Sequence, residues 1–306
     1  MNFFSVYFIF TILTAYVYSA ANSDRKRRGK DPPSYVHIEA NLDSNTPSVN
    51  NEQQTYENVY LINLNSRPDR LNYMTEILNE IGQPFTRIEA VNGKELLESC
   101  KDRPMSSIYP KIVYTCKDFL RDNSEDKCKP GEVGCWLSHL KIYFQIVENF
   151  EKTGRDNPTL ILEDDIDMEL DFKFLVKDLV TKLPSNWELF YPGYHDPKFI
   201  RRVNRDIASI GQYWGTFSYV VRNVNVAKKL IQLANKSVCQ IADVFNLEAV
   251  KRDQLKSYHS HPRQLVTYDE NLGYDIDHPT LKICPHFCFK LRDSALQKIK
   301  RRKGEL

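Results

Sequence analysis

The most constraining feature of this chain is a change of period early in its ordered part. Val59-Tyr60-Leu61-Ile62-Asn63-Leu64 is a short apolar run that suits a buried strand. Ser66 then stands as a candidate N-cap with Pro68 in the first turn, and Leu71, Met74, Leu78 and Ile81 recur at helical spacing until Gly82 can end the helix. Phe85 to Val91 reads as the next strand and Asn92-Gly93 as a turn. Strand, helix, strand is the opening of an open α/β sheet.

The rest of the chain continues the pattern. Val133, Leu137, Leu140, Phe144 and Val147 form one helical stripe over residues 132–149. Thr159-Leu160-Ile161-Leu162 is another buried strand, and residues 187–191 and 217–221 read as two more. Asn223 or Asn225 caps a helix running through Leu233. No internal repeat occurs, which removes solenoids and propellers.

Composition narrows the class. The 306 residues are 42% hydrophobic and 27% charged, with 16 Phe, 17 Tyr and 3 Trp, enough to build a large core and too many for a disordered chain. Ordinary counts of 11 Gly and 15 Pro exclude collagen-like chains, and a mean hydropathy of −0.50 with a single long apolar run excludes a multi-span membrane protein. Five basic against two acidic residues put +3 on residues 24–31. Seven against two put +5 on residues 290–306, leaving residues 32–289 at −6. An acidic centre does not suit phosphate contacts, so no nucleic-acid partner is expected.

Targeting bears on the cysteines. Residues 3–18 are almost all apolar, and Ser19 and Ala21 stand at −3 and −1 of a cut, so residues 1–21 read as a cleaved signal peptide. A membrane anchor is the alternative, and membrane contact is expected only if the segment stays uncleaved. Residues 22–54, rich in Asn, Ser, Asp, Pro and Arg, read as a disordered stem, 55–289 as a single folded domain and 290–306 as a basic, solvated tail. In an oxidising lumen several of Cys100, Cys116, Cys128, Cys135, Cys239, Cys284 and Cys288 pair, and the odd number leaves at least one over. Cys284 and Cys288 read as a disulfide or buried thiols rather than a zinc cluster. Asn235-Lys236-Ser237 is a glycosylation acceptor, and Lys303-Gly304-Glu305-Leu306 resembles an ER-retrieval tetrapeptide.

The chemistry is expected where Leu162 runs into Glu163-Asp164-Asp165. Ligands of open α/β sheets bind outside the carboxyl ends of the strands. Adjacent carboxylates repel one another unless a cation or hydrogen bonds hold them, and a hard divalent ion completed by a diphosphate does so. Taken alone, an acidic surface turn reads the same way. The glycine fingerprints of dinucleotide and P-loop sites are absent, as is H-E-x-x-H.

The ordered set of segments carries a resemblance. Tyr60 to Leu64 with Arg67-Pro68-Asp69-Arg70, then Phe85 to Gly93, then Gly131-Glu132-Val133-Gly134-Cys135 leading to Ser138-His139, then Leu162 to Asp165, Trp187 to Gly193 and Trp214 to Leu230 resemble glycosyltransferase family 25 over residues 56–280. Ile241 to Phe245 and Gly273 to Asp277 are most similar to its eukaryotic procollagen galactosyltransferase branch.

The resemblance implies a GT-A-like open, mostly parallel sheet and a Mn²⁺-dependent transfer of galactose or glucose from a UDP-hexose. It implies an acceptor hydroxyl on a collagen-like protein or a glycan and inversion at the anomeric centre, while the leader puts the chain in the secretory pathway, in the ER or Golgi lumen or secreted. Glu163, Asp164 and Asp165 are then the metal residues. Arg67 and Arg70 pair with donor phosphates, fix Asp69, or make surface salt bridges. Ser138 and His139 contact the donor, or His139 contacts the acceptor or is structural. Trp214 stacks on sugar or uracil, or is core. Asp243 and Asp277 are candidates for the general base, or cap helices and turns. The rival reading is a non-catalytic secreted or lumenal binding protein on the same fold.

Overall fold

The computed structural model describes residue 56 and residues 58–100, 129–235, 242–272 and 291–305. The signal peptide, the stem, Asp277, the Gly273–Asp277 segment and cysteines 116, 128, 239, 284 and 288 lie outside the described residues.

An eight-stranded sheet runs in the order β2-β1-β3-β8-β5-β9-β7-β6. Its strands are β1 (Asn58–Asn63), β2 (Thr86–Glu89), β3 (Thr159–Leu162), β5 (Leu189–Tyr191), β6 (His195–Arg202), β7 (Ile207–Trp214), β8 (Ser218–Val221) and β9 (Ser257–Ser260). β1 pairs in parallel with β2 and β3, and β5 with β9, while β8 opposes both β3 and β5. Five of the six strands from β2 to β9 therefore share a direction. The expected α/β, mostly parallel sheet is what the chain adopts. β4 (Ile166–Met168) and β10 (Val266–Tyr268) form a separate antiparallel pair directly after the acidic turn.

Side-chain alternation splits the core between the two faces of the sheet. Tyr60, Ile62, Ile161, Tyr191, Tyr219 and Val221 face one layer. There they meet α3 (Pro130–Thr153) and α5 (Val224–Ala234). Val59, Leu61, Leu160, Leu162, Phe190 and Val220 face the other, which holds α1 (Pro68–Glu80), α4 (Phe172–Thr181) and α7 (Ala295–Lys303). Strands buried on both faces explain why β1 and β3 are apolar at nearly every position.

Local chemistry sets the element ends. α1 begins at Pro68, so Arg67 takes the cap position expected of Ser66, and it makes no side-chain cap bond. Proline fixes the first helical residue and thereby the cap before it. Gly82, at φ +64°, ends the helix as expected. The helix expected over 132–149 runs from Pro130 to Thr153, because Lys129 N–H donates to the Glu132 carboxylate and no breaker precedes Gly154, at φ +69°. Asn92 caps α2 (Gly93–Cys100) through Oδ1 rather than making an isolated turn. Asn223 caps α5 through Val226 N–H.

The C-terminal segment differs from the expected solvated tail. Ser294 caps α7, Ala295 and Ile299 are buried, and Lys298 and Arg302 pair with Glu80 at 2.8 Å. Buried Glu169 receives the Arg292 and Asp293 N–H groups and pairs with Arg263. The basic run therefore forms one face of a helix docked on α1, a stripe that its charge conceals.

Candidate functional site

The carboxyl ends of β1, β2 and β3 lie side by side, and the site is built there. Leu162 closes β3, and Glu163 N–H donates to the Phe217 carbonyl at 2.9 Å. The three carboxylates that follow point to different partners. Asp164 accepts from Asn63 Nδ2 at 2.7 Å and from Arg70 Nη1 at 2.9 Å. Asp165 accepts from the same Arg70 nitrogen at 2.9 Å. Glu163 Oε1 lies 3.0 Å from His139 Nε2 and accepts from Thr216 Oγ1 at 3.0 Å.

Arg70 is the hinge of this arrangement. It stands on the buried face of α1 with only 3% of its side chain exposed, and its other terminal nitrogen reaches the Leu272 carbonyl. One guanidinium thus faces two nearly buried aspartates, with Glu163 beside them. Burial pushes the Asp164 carboxyl above its usual range, against the pull of Asn63 and Arg70. Asn63 is itself held, since Arg87 Nε donates to its Oδ1 and its Nδ2 also reaches the Arg67 carbonyl.

The remaining expected residues fall around this core. Arg67 pairs with Asp69 at 2.9 Å and donates to the Leu272 carbonyl at 2.8 Å. The pairing lowers the exposed Asp69 carboxyl. Ser138 is buried, donates to the Gly134 carbonyl at 2.6 Å and accepts from Val91 N–H. Its hydroxyl is engaged in holding the β2–α2 loop against α3, where a Cβ on Gly134 would come within 2.5 Å of the Val91 carbonyl. His139 is buried between Glu163 and the Tyr219 hydroxyl, 2.8 Å from Nδ1. Trp214 ends β7, 39% exposed and two residues from Thr216. Asp243 lies in the first turn of α6 (Ala242–Lys251). Asn235, half-buried, follows α5 at its C-cap.

Several members were not expected. Asn63, Thr216, Tyr219 and Asp269 all join the site. Asp269 N–H donates to the Asp165 carbonyl, and its carboxylate accepts from the Tyr73 hydroxyl at 2.9 Å. Asn63 had a readable signal, as a polar residue closing an apolar strand like Glu163. Behind the site, His259 is fully buried among Tyr191, Tyr194 and Tyr213, and burial pushes its imidazole down to about 3.

A cavity of about 410 Å³ opens between the ends of β1 and β2 and helix α2. Leu64, Ala90, Asn92 and Leu96 line it together with the carboxylates of Glu89 and Glu95. Its size suits a small ligand.

The sequence profile of glycosyltransferase family 25, described as LPS biosynthesis protein, matches residues 56–245, most of the chain and every element of this site from β1 to β8. The chain belongs to glycosyltransferase family 25. Among curated family 25 relatives, an Aedes aegypti "Glycosyltransferase 25 family member" is 27% identical over 204 residues, 64% of this chain and 31% of its own. "Procollagen galactosyltransferase 1-A" of Xenopus laevis is 27% identical over 228 residues, 71% of this chain and 35% of its own. "Probable inactive glycosyltransferase 25 family member 3" of Bos taurus is 25% identical over 249 residues, 78% of this chain and 38% of its own. The chain spans about a third of the length of these relatives.

Proposed function

We propose that this chain is a metal-dependent glycosyltransferase that moves galactose or glucose from a UDP-hexose to an acceptor hydroxyl with inversion. The observation that carries the reading is the carboxylate cluster at the end of β3. Asp164 and Asp165 share the guanidinium of Arg70, and Glu163 stands beside them against His139 and Thr216. A turn with three carboxylates suits a divalent cation, and an all-oxygen donor set suits Mn²⁺ or another hard ion. Such an ion, when bound, neutralises charge growing on the departing diphosphate.

The chain's own groups divide the remaining work. The cavity beside β1 and β2 takes the nucleoside. Arg67, aligned by Asp69 at the start of α1, faces the phosphates together with the N-terminal end of that helix. Trp214 offers a face to the sugar. Asp243 or Asp277 takes the proton from the acceptor hydroxyl. Likeness to the procollagen galactosyltransferases supports a hydroxylysine on a collagen-like protein as acceptor. It also supports a place in the ER or Golgi lumen, with a glycan on Asn235. No described helix is long and apolar enough to cross a membrane.

Asp165→Asn tests the reading. Metal-dependent UDP release should fall at least about a hundredfold while the fold persists, since the ion's help is worth several kcal/mol at 1.36 kcal/mol per decade. Unchanged turnover would dismiss the metal assignment. A non-catalytic binding protein on the same fold is the second reading. It is favoured by Arg70, which already spans both aspartates, and by the bovine relative's name. Saturable UDP-hexose binding without turnover would decide for it.

A further inference from the structure

Cys135 and His139 lie four residues apart on α3, so their side chains share one face of the helix. The end of β3 delivers Glu163 opposite them. The Cys135 sulfur, a His139 ring nitrogen and a Glu163 carboxylate oxygen all lie within 4.8 Å of one another. His139 is buried, while Cys135 and Glu163 are half-buried, so the group is enclosed on one side and reachable from the other. From this we infer a second metal site beside the acidic turn, a thiolate–imidazole–carboxylate site for a borderline-soft divalent cation of the zinc class.

The surroundings are those a zinc site needs. A ligating imidazole has its other nitrogen held by a hydrogen-bond partner. His139 Nδ1 lies 2.8 Å from the Tyr219 hydroxyl, which is itself 2.8 Å from the Tyr143 hydroxyl. Glu163 Oε1 is held by Thr216. Tetrahedral zinc spaces its ligand atoms about 3.4–3.6 Å apart, so closing the trio takes movements of about 1 Å or less. As the metal–sulfur bond forms, the thiol proton leaves to solvent. Sulfur favours zinc over manganese, which separates this site from the oxygen-only turn. Three protein ligands leave a fourth position for water or a substrate oxygen. Glu163 uses only Oε1 for its contacts with His139 and Thr216, so the two sites share a carboxylate without sharing an atom.

The test titrates the metal-free full chain with Co²⁺ and then Zn²⁺. Expected are a sulfur-to-cobalt charge-transfer band in the near ultraviolet, saturating at one equivalent, and its loss as zinc displaces cobalt. Cys135→Ser should abolish the band with circular dichroism unchanged. Tyr219→Phe should weaken zinc binding about tenfold to a hundredfold. Asp165→Asn should leave the band intact while removing manganese-dependent UDP release, so the two sites fail separately. A band that survives Cys135→Ser, or no uptake of either metal, would overturn the inference and leave His139 and Glu163 as a plain hydrogen-bonded pair. Should Cys135→Ser unfold, X-ray absorption of the zinc-loaded wild type decides. One sulfur at about 2.3 Å is expected, and a shell of nitrogen and oxygen alone refutes the site.

Discussion

Replacing Arg70 by Met removes the guanidinium that pairs with Asp164 and Asp165. Both carboxylates are nearly enclosed, with side chains about one-tenth exposed, and Met keeps most of the arginine's apolar stem. Breaking a buried ion pair from one side costs about 3–5 kcal/mol, because it strands a charge in a poorly hydrated place. For a domain of this size each kcal/mol moves the melting temperature by roughly 2–4 °C, so a fall of roughly 6–20 °C is expected at pH 7. The sign of the pH dependence follows from Asp164, whose carboxyl burial already raises. Losing Arg70 raises it further, so the variant's deficit is fully present above the carboxylate range. It shrinks as pH falls and the carboxyl takes up a proton. Thermal melts of both proteins from pH 4 to 8 measure this. Mn²⁺ should recover part of the loss in the variant by replacing the missing positive charge. A deficit under about 1 kcal/mol, or one independent of pH, would refute the picture of Arg70 as the counter-charge of the turn.

Other predictions follow from single residues. His259, pushed down to about 3 by burial, stays neutral in the fold but binds a proton once unfolded. Stability should therefore fall by up to about 1.4 kcal/mol per pH unit between about pH 6 and 3, and His259→Phe should flatten that slope in acid-denaturation curves. Gly134→Ala forces a Cβ to within 2.5 Å of the Val91 carbonyl and should cost about 1–3 kcal/mol in urea melts; a neutral change would mean the α2–α3 contact is loose. Glu169→Leu strands Arg263 and two backbone N–H groups, so α7 should gain protease sensitivity before the rest of the chain. Equal cleavage rates would argue against that anchor.

The parts of the fold that the sequence disclosed are those whose pattern is set by burial on both faces. β1, β3, α1 and α3 carry long apolar runs or stripes, and their positions came within a few residues. β6 escaped because six of its eight positions, including Lys198, Arg201 and Arg202, are polar or exposed, as edge strands are. α7 escaped because only Ala295 and Ile299 of its nine residues are buried. The acidic turn was legible as three carboxylates ending a strand. Its partners were not, since Arg70 stands 94 residues from Asp164 in sequence and only the sheet order brings them together. Ser138 shows the converse, a motif residue whose hydroxyl is taken up by backbone.

The central claim is a metal-dependent sugar-nucleotide site at the end of β3. Its most direct test is UDP release by the full chain with UDP-galactose or UDP-glucose. Mn²⁺ is supplied throughout, a hydroxylysine-bearing collagen peptide is present or absent, and melting temperatures are recorded in parallel. The account predicts release specific to one hexose, stimulated by the acceptor, abolished by EDTA and accompanied by a metal-dependent rise in melting temperature. Neither release nor a rise in melting temperature with any donor would contradict it.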